Sequence, residues 1–151
     1  MTDNVWKPHA TVAAIIEQNG CFLLVEELCS GTRVYNQPAG HLEDNESLQD
    51  AVVREVREET RFLFAPESLV GCYRWRDTRK NRTHIRMTFC GSVSDEKPEQ
   101  PLDDGILDTH WLSYEEINQS SALRSPLVLQ CINDYRAGHR YPLELLHDVV
   151  S

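Results

Sequence analysis

From Thr11 to Ile16 the chain is apolar and rich in β-branched residues, and Asn19-Gly20 follows as a turn signal. Cys21 to Leu28 then reads as the returning strand of a hairpin. Ser30-Gly31 opens a loop that passes Val34 and Tyr35 and reaches Pro38-Ala39-Gly40. Ser47 to about Thr60 holds helix formers and neither Gly nor Pro. Leu69–Trp75 and His84–Val93 are strand-like, with the polar turn Arg76–Arg82 between them, and Ile106–Leu112 is a further short strand. Ser113 caps a short helix with Glu116 as its capping-box partner. Ser125-Pro126 starts another helix, which carries Leu127, Val128, Cys131, Ile132 and Tyr135 as one stripe and stops near Gly138. Strands, helix, strands, helix is the order of an α/β (α+β) sandwich, a mixed sheet between helices.

The length of 151 residues suits one domain, 1–151, with a real core. No stretch is apolar enough to span a membrane, and Met1–Trp6 lacks the basic and apolar regions of a leader. A net charge of −9 repels polyanions, which argues against a nucleic-acid polymer or an anionic membrane as partner. The five cysteines form no C-x-x-C pair, so neither a zinc site nor a disulfide framework is indicated. Reduced thiols point to a cytoplasmic protein, as a monomer or a homodimer.

The chemistry lies in the helix from Ser47. With Glu55 at zero on a helical wheel, Glu59 falls near about +40° and Glu58 near about −60°, while Leu48, Ala51 and Val52 share that side. Asp50, Arg54 and Arg57 lie opposite. Three carboxylates continuing an apolar stripe repel one another and resist burial, so a cation must compensate them. Carboxylate oxygens without His or Cys suit Mg²⁺ or Mn²⁺, which usually bridges carboxylates to substrate phosphates. A small-molecule phosphoanhydride is the partner this chemistry suggests.

Gly40, Glu46, Arg54-Glu55-Val56, Glu58-Glu59 and Phe62 resemble the Nudix box, G-x5-E-x7-R-E-U-x-E-E-x-G-U, in which U is a bulky aliphatic or similar residue. The resemblance implies a Nudix α/β/α sandwich and Mg²⁺-dependent (Mn²⁺ may substitute) hydrolysis of nucleoside diphosphate derivatives. It implies Glu55, Glu58 and Glu59 as metal ligands, joined by a backbone carbonyl at Ala39 or Gly40. Glu55 is also the implied base, Glu46 supports the site, and Arg54 orients the glutamates by ion pairing. Arg61 stands where the box has its second glycine, at a cost of about 1 kcal/mol if residue 61 is left-handed.

Stretches outside the box, such as Asn36-Gln37-Pro38-Ala39-Gly40-His41 and Leu123-Arg124-Ser125-Pro126, resemble the NudJ-type bacterial phosphatases of this superfamily. That branch implies nucleoside di- and triphosphates as substrates, with release of inorganic phosphate, together with thiamine pyrophosphate and its hydroxymethylpyrimidine pyrophosphate precursor. Nucleoside diphosphate sugars and dinucleoside polyphosphates are the rival substrates. A non-catalytic nucleotide-sensing module is the rival class, and the presence of all four box glutamates weighs against it.

Other residues keep two readings. The basic hairpin from Arg74 to Arg86 is either a phosphate-facing arm or a solvated tip that protects an edge. Tyr73 and Trp75 share the face opposite Arg74 and suit the core. Asp104 is the choice for a further acid among Asp103, Asp104 and Asp108, against an ordinary loop. His41 is either a phosphate contact or a structural histidine, and Arg124 and Arg140 are further basic residues within possible reach of substrate.

Overall fold

The computed structural model describes residues 4–151; Met1–Asp3, part of the segment read for a leader, lie outside the described residues. Seven strands and three helices follow in the order β1 His9–Gln18, β2 Cys21–Cys29, β3 Thr32–Asn36, β4 Ala39–His41, α1 Leu48–Thr60, β5 Leu63–Asp77, β6 Arg82–Ser94, β7 Ile106–Ser113, α2 Tyr114–Gln119 and α3 Pro126–Arg136. A 3₁₀ turn, Leu143–Leu145, comes after them.

The unbroken apolar run of β1 has a structural cause. β1 lies at the centre of the sheet and is covered on both faces, so it needs apolar residues on both. Val12, Ala14 and Ile16 face a core with Ala51, Val52 and Val56 of α1. Ile15 faces the opposite core with Leu127, Cys131 and Ile132 of α3. The main strand path is β3-β2-β1-β6-β5, with β4 paired to β1 and β7 to β2. The β1–β6 pair is parallel and the other pairs are antiparallel, so the sheet is mixed. Helices cover both faces, as the hydrophobic pattern predicts.

Three elements depart from the sequence expectation. Ser30-Gly31 is a tight turn with both φ angles positive, 52° and 79°, which matches the twist of a hairpin. It leads into strand β3 and then, at Ala39–His41, into strand β4 rather than a loop. Strand β5 begins at Leu63 instead of Leu69, because irregularities near Pro66 and Leu69 let it run past the proline. β5 is an edge strand, where a proline removes no ladder bond from a further neighbour. Among the described residues no helix is long and apolar enough to cross a membrane.

Candidate active site

Local rules fix the ends of α1. The Ser47 side chain accepts the Asp50 N–H at 3.1 Å as an N-cap. Arg61 ends the helix in the left-handed region at φ 70°, its N–H donated to the Arg57 carbonyl. Between these caps, Glu55 and Glu59 stand one turn apart and are both buried, on the side that also carries Val52 and Val56.

Strand β4 lies against this acidic turn. The Ala39 N–H donates to Glu59 Oε1 at 2.9 Å. Gly40 faces Glu55 so closely that a Cβ there would stand 2.1 Å from the carboxyl carbon. Arg54 joins the other acids. Its Nε and Nη2 form a fork on Glu46 at 3.0 and 2.7 Å, and its Nη1 donates to Glu55 at 2.7 Å and to Glu58 at 3.2 Å. Nη2 also donates to the His41 carbonyl at 3.1 Å. The wheel places Arg54 opposite the carboxylates, but the long side chain turns back across the helix surface to reach them.

The charge balance of the cluster is incomplete. Burial pushes the Glu59 carboxyl up to about 9, against the Ala39 hydrogen bond and with help from the charges of Glu55, Glu27 and Asp103. Burial pushes Glu55 up to about 7, in spite of Arg54. Glu46, near the surface and held by the Arg54 fork, is shifted downward. One arginine does not neutralise this set of acids. Among the described residues no three His, Cys, Asp or Glu side chains are gathered at metal-ligand spacing. Glu55 and Glu58 turn to Arg54, and Glu59 turns to the Ala39 amide. The donors nevertheless fit a hard divalent cation. They are all oxygen, the charge of their buried members is offset only in part by Arg54, and Gly40 leaves room over Glu55.

A cavity of about 170 Å³ adjoins Ala39, Gly40 and His41. Arg86 of β6 is buried in its wall and donates to the Gln37 side-chain oxygen at 3.1 Å and to that of Asn36 at 3.4 Å. Gln37 is anchored in turn on the Val128 carbonyl at 2.8 Å. Arg124 forms an ion pair with the buried Glu27. At the rim His9 and His41 meet at 3.1 Å between ring nitrogens, and Trp75 stacks on His84. Burial, then His9 and the nearby arginines Arg82 and Arg124, push the His41 pKa down.

Of the residues read as substrate contacts, Arg86 and His41 line this cavity. Arg74 does not: it is exposed, and its neighbour Trp75 takes the place in the cavity wall. Trp75 therefore contributes to the cavity as well as to the core beneath it. Asp104 lies exposed in a turn, and Asp103 is the acid beside the cluster, its N–H donated to the Glu58 carbonyl at 3.0 Å. Asn36, Gln37 and Glu27 are polar contributors that sequence reasoning gave no role. The signal available for Glu27 was an acidic residue inside the apolar strand Cys21–Leu28, next to Glu26.

Comparison with known proteins agrees with this geometry. The sequence model of the NUDIX domain matches residues 7–129. The chain is 42% identical over 144 residues to the protein named "Phosphatase NudJ" from Escherichia coli strain K12, covering 95% of this chain and 94% of that one. It superposes on a solved NUDIX hydrolase from Nitrosomonas europaea with a TM-score of 0.92 at 49% identity, covering 95% of this chain and 98% of that chain. The NUDIX domain of Shewanella oneidensis NrtR, solved with ADP ribose, shares the fold alone, with a TM-score of 0.74 at 18% identity over 91% of this chain and 92% of that chain. An acidic helix end braced by one arginine against a strand glycine is thus found in a chain matched by the domain model over most of its length, and the chain belongs to the Nudix hydrolase family.

Proposed function

We propose that this Nudix-family hydrolase uses Mg²⁺, with Mn²⁺ able to substitute, to cleave phosphoanhydrides of nucleoside di- and triphosphates and of thiamine pyrophosphate or hydroxymethylpyrimidine pyrophosphate. The observation that carries the reading is the buried Glu55–Glu59 pair, whose negative charge Arg54 offsets only in part. Glu55, Glu58 and Glu59 would hold the cation, with the backbone at Ala39–Gly40 beside them. When bound, it neutralises phosphate oxygens and lowers the pKa of the attacking water.

The remaining work falls to the protein's own groups. Glu55, the base that the family resemblance implies, accepts the proton of the attacking water. Arg54 keeps the Glu55 carboxylate turned to its place, and Glu46 fixes Arg54 through the two-point fork. Arg86 and His41 are the substrate-facing residues, since both line the cavity beside Gly40. The free cysteines agree with a reducing, cytoplasmic setting.

The test is a phosphate-release screen with Mg²⁺ over nucleoside di- and triphosphates, thiamine pyrophosphate, nucleoside diphosphate sugars and dinucleoside polyphosphates. Turnover of the first three groups supports the reading. Turnover confined to the last two would replace the substrate while keeping the hydrolase.

A further inference from the structure

We infer that Trp75 holds the heteroaromatic ring of the substrate by stacking, and that this contact selects diphosphates that carry such a ring over those that lack one. The inference rests on the hydrolase reading and adds the residue that recognises the organic end of the substrate.

Strand register sets four rings in one row. β4, β1, β6 and β5 are successive neighbours in the sheet. His9, His84 and Trp75 stand opposite one another on β1, β6 and β5, and His41 of β4 stands opposite Thr11. Residues two apart on a strand share a face, so all four side chains lie on the face that Thr11 turns to the cavity. The ring centroids follow at 5.2 Å from His41 to His9, 5.2 Å from His9 to His84 and 5.1 Å from His84 to Trp75. The last pair is nearly parallel, at 21°.

The two ends of the row differ. His41 adjoins Gly40, which lies over the acids of α1. Trp75 stands on the edge strand, half-buried in the wall of the same cavity. Neighbouring strands are about 4.8 Å apart, so β4 and β5 are separated by about 14 Å. A phosphoryl group alone does not cover that distance. A diphosphate joined to a heteroaromatic ring is of that order, with its phosphates toward Gly40 and its ring toward Trp75.

The indole suits a ring. Its face is apolar and electron-rich, which favours offset stacking and offers a phosphate nothing. It is also held in place before any ligand arrives. His84 packs on one side of it, and Trp75 reaches the core beneath, where Ile132 and Leu127 lie. A contact that is already ordered binds with less loss of freedom. Stacking needs only a π-face and so accepts purines and pyrimidines alike. A single site thereby serves substrates with different rings.

Initial rates with Mg²⁺ test the inference on a purine nucleoside diphosphate, a pyrimidine nucleoside diphosphate and methyl diphosphate, which has no ring. In a folded Trp75→Leu, kcat/KM for both nucleoside diphosphates is expected to fall at least about tenfold further than for methyl diphosphate, chiefly through KM. Trp75→Phe keeps a π-face and is expected to stay within about threefold of the unsubstituted protein on all three. Equal losses by Trp75→Leu on the three compounds would overturn the proposal, because a merely structural tryptophan affects them alike. So would a loss in Trp75→Phe as large as in Trp75→Leu. No turnover of any compound by the unsubstituted protein would reject the hydrolase reading instead. Tryptophan fluorescence gives a readout that needs no turnover. A nucleoside monophosphate has no phosphoanhydride to cleave, and titrating it in Mg²⁺ is expected to give saturable quenching. The quenching should persist in Trp111→Phe and vanish in Trp75→Phe, which lacks the reporting indole. Quenching that persists in Trp75→Phe, or is absent from the unsubstituted protein, contradicts the proposal.

Discussion

Gly40 and Glu55 are in such close register that a methyl group on residue 40 would lie 2.1–2.4 Å from all three carboxyl atoms of the glutamate. Strand β4 and helix α1 meet here, and the missing side chain is what lets the backbone sit over the acid. Gly40→Ala should therefore displace Glu55 from its contact with Arg54. A shift of about 1 Å in a reacting group lowers turnover by roughly 100-fold. Phosphate-release assays beside a thermal melt check this, and unchanged kcat in a folded variant would show that the Glu55 position is not critical.

The buried acids set a pH dependence for the metal-free protein. Glu59 is pushed up to about 9 and Glu55 to about 7, from an ordinary value of 4.5. The fold thus favours the neutral acids. Their stabilising contribution is complete below the unfolded value and is lost as pH rises through the folded values. Thermal melts in chelator should show Tm falling from about pH 5 to about pH 9, and Mg²⁺ should oppose the fall. Glu59→Gln should flatten the slope. A melting temperature that rises over this range would contradict the account.

Arg61 occupies the left-handed helix end where glycine is unstrained. From sequence alone, Arg61→Gly promises a modest gain in stability. The structure reduces that gain, because the Arg61 guanidinium donates to the Gln100 carbonyl and so ties the loop before β7 to the helix end. Relief of about 1 kcal/mol of backbone strain is offset by the lost bond and by a freer unfolded chain. Arg61→Gly should leave Tm within about 4 °C of the unsubstituted protein. Arg61→Ala keeps the strain and loses the bond, so it should be the less stable of the two. The reverse order in a melting experiment would refute this.

The ends of α1 were legible in sequence because Ser47 and residue 61 are local signals, decided within one helical turn. The acidic stripe was legible because helical periodicity alone places Glu55 and Glu59 with Val52. Strand β3 was not, since Thr32–Asn36 is a short edge strand with no clean alternation, and its Ser30-Gly31 turn has the composition of any loop. The depth of Arg86 was hidden for another reason. Strand alternation gives its face, but its burial depends on Gln37 reaching Val128 across 91 residues of sequence. That Asp103 rather than Asp104 lies beside the cluster was hidden on the same ground, because the Asp103 backbone bond to Glu58 is a tertiary contact.

The central claim is that the acids of α1 carry a cation-dependent hydrolysis. The most direct measurement is phosphate release from a nucleoside diphosphate by the unsubstituted protein, Glu55→Gln and Glu115→Gln, each in excess chelator and again in Mg²⁺. Glu115, an exposed acid of α2, serves as the control. The account predicts no turnover in chelator, recovery with Mg²⁺ for the unsubstituted protein and Glu115→Gln, and a kcat lower by at least about 1,000-fold for a folded Glu55→Gln, roughly 4 kcal/mol of barrier. Full turnover in chelator, or equal rates for the two variants in Mg²⁺, would contradict it.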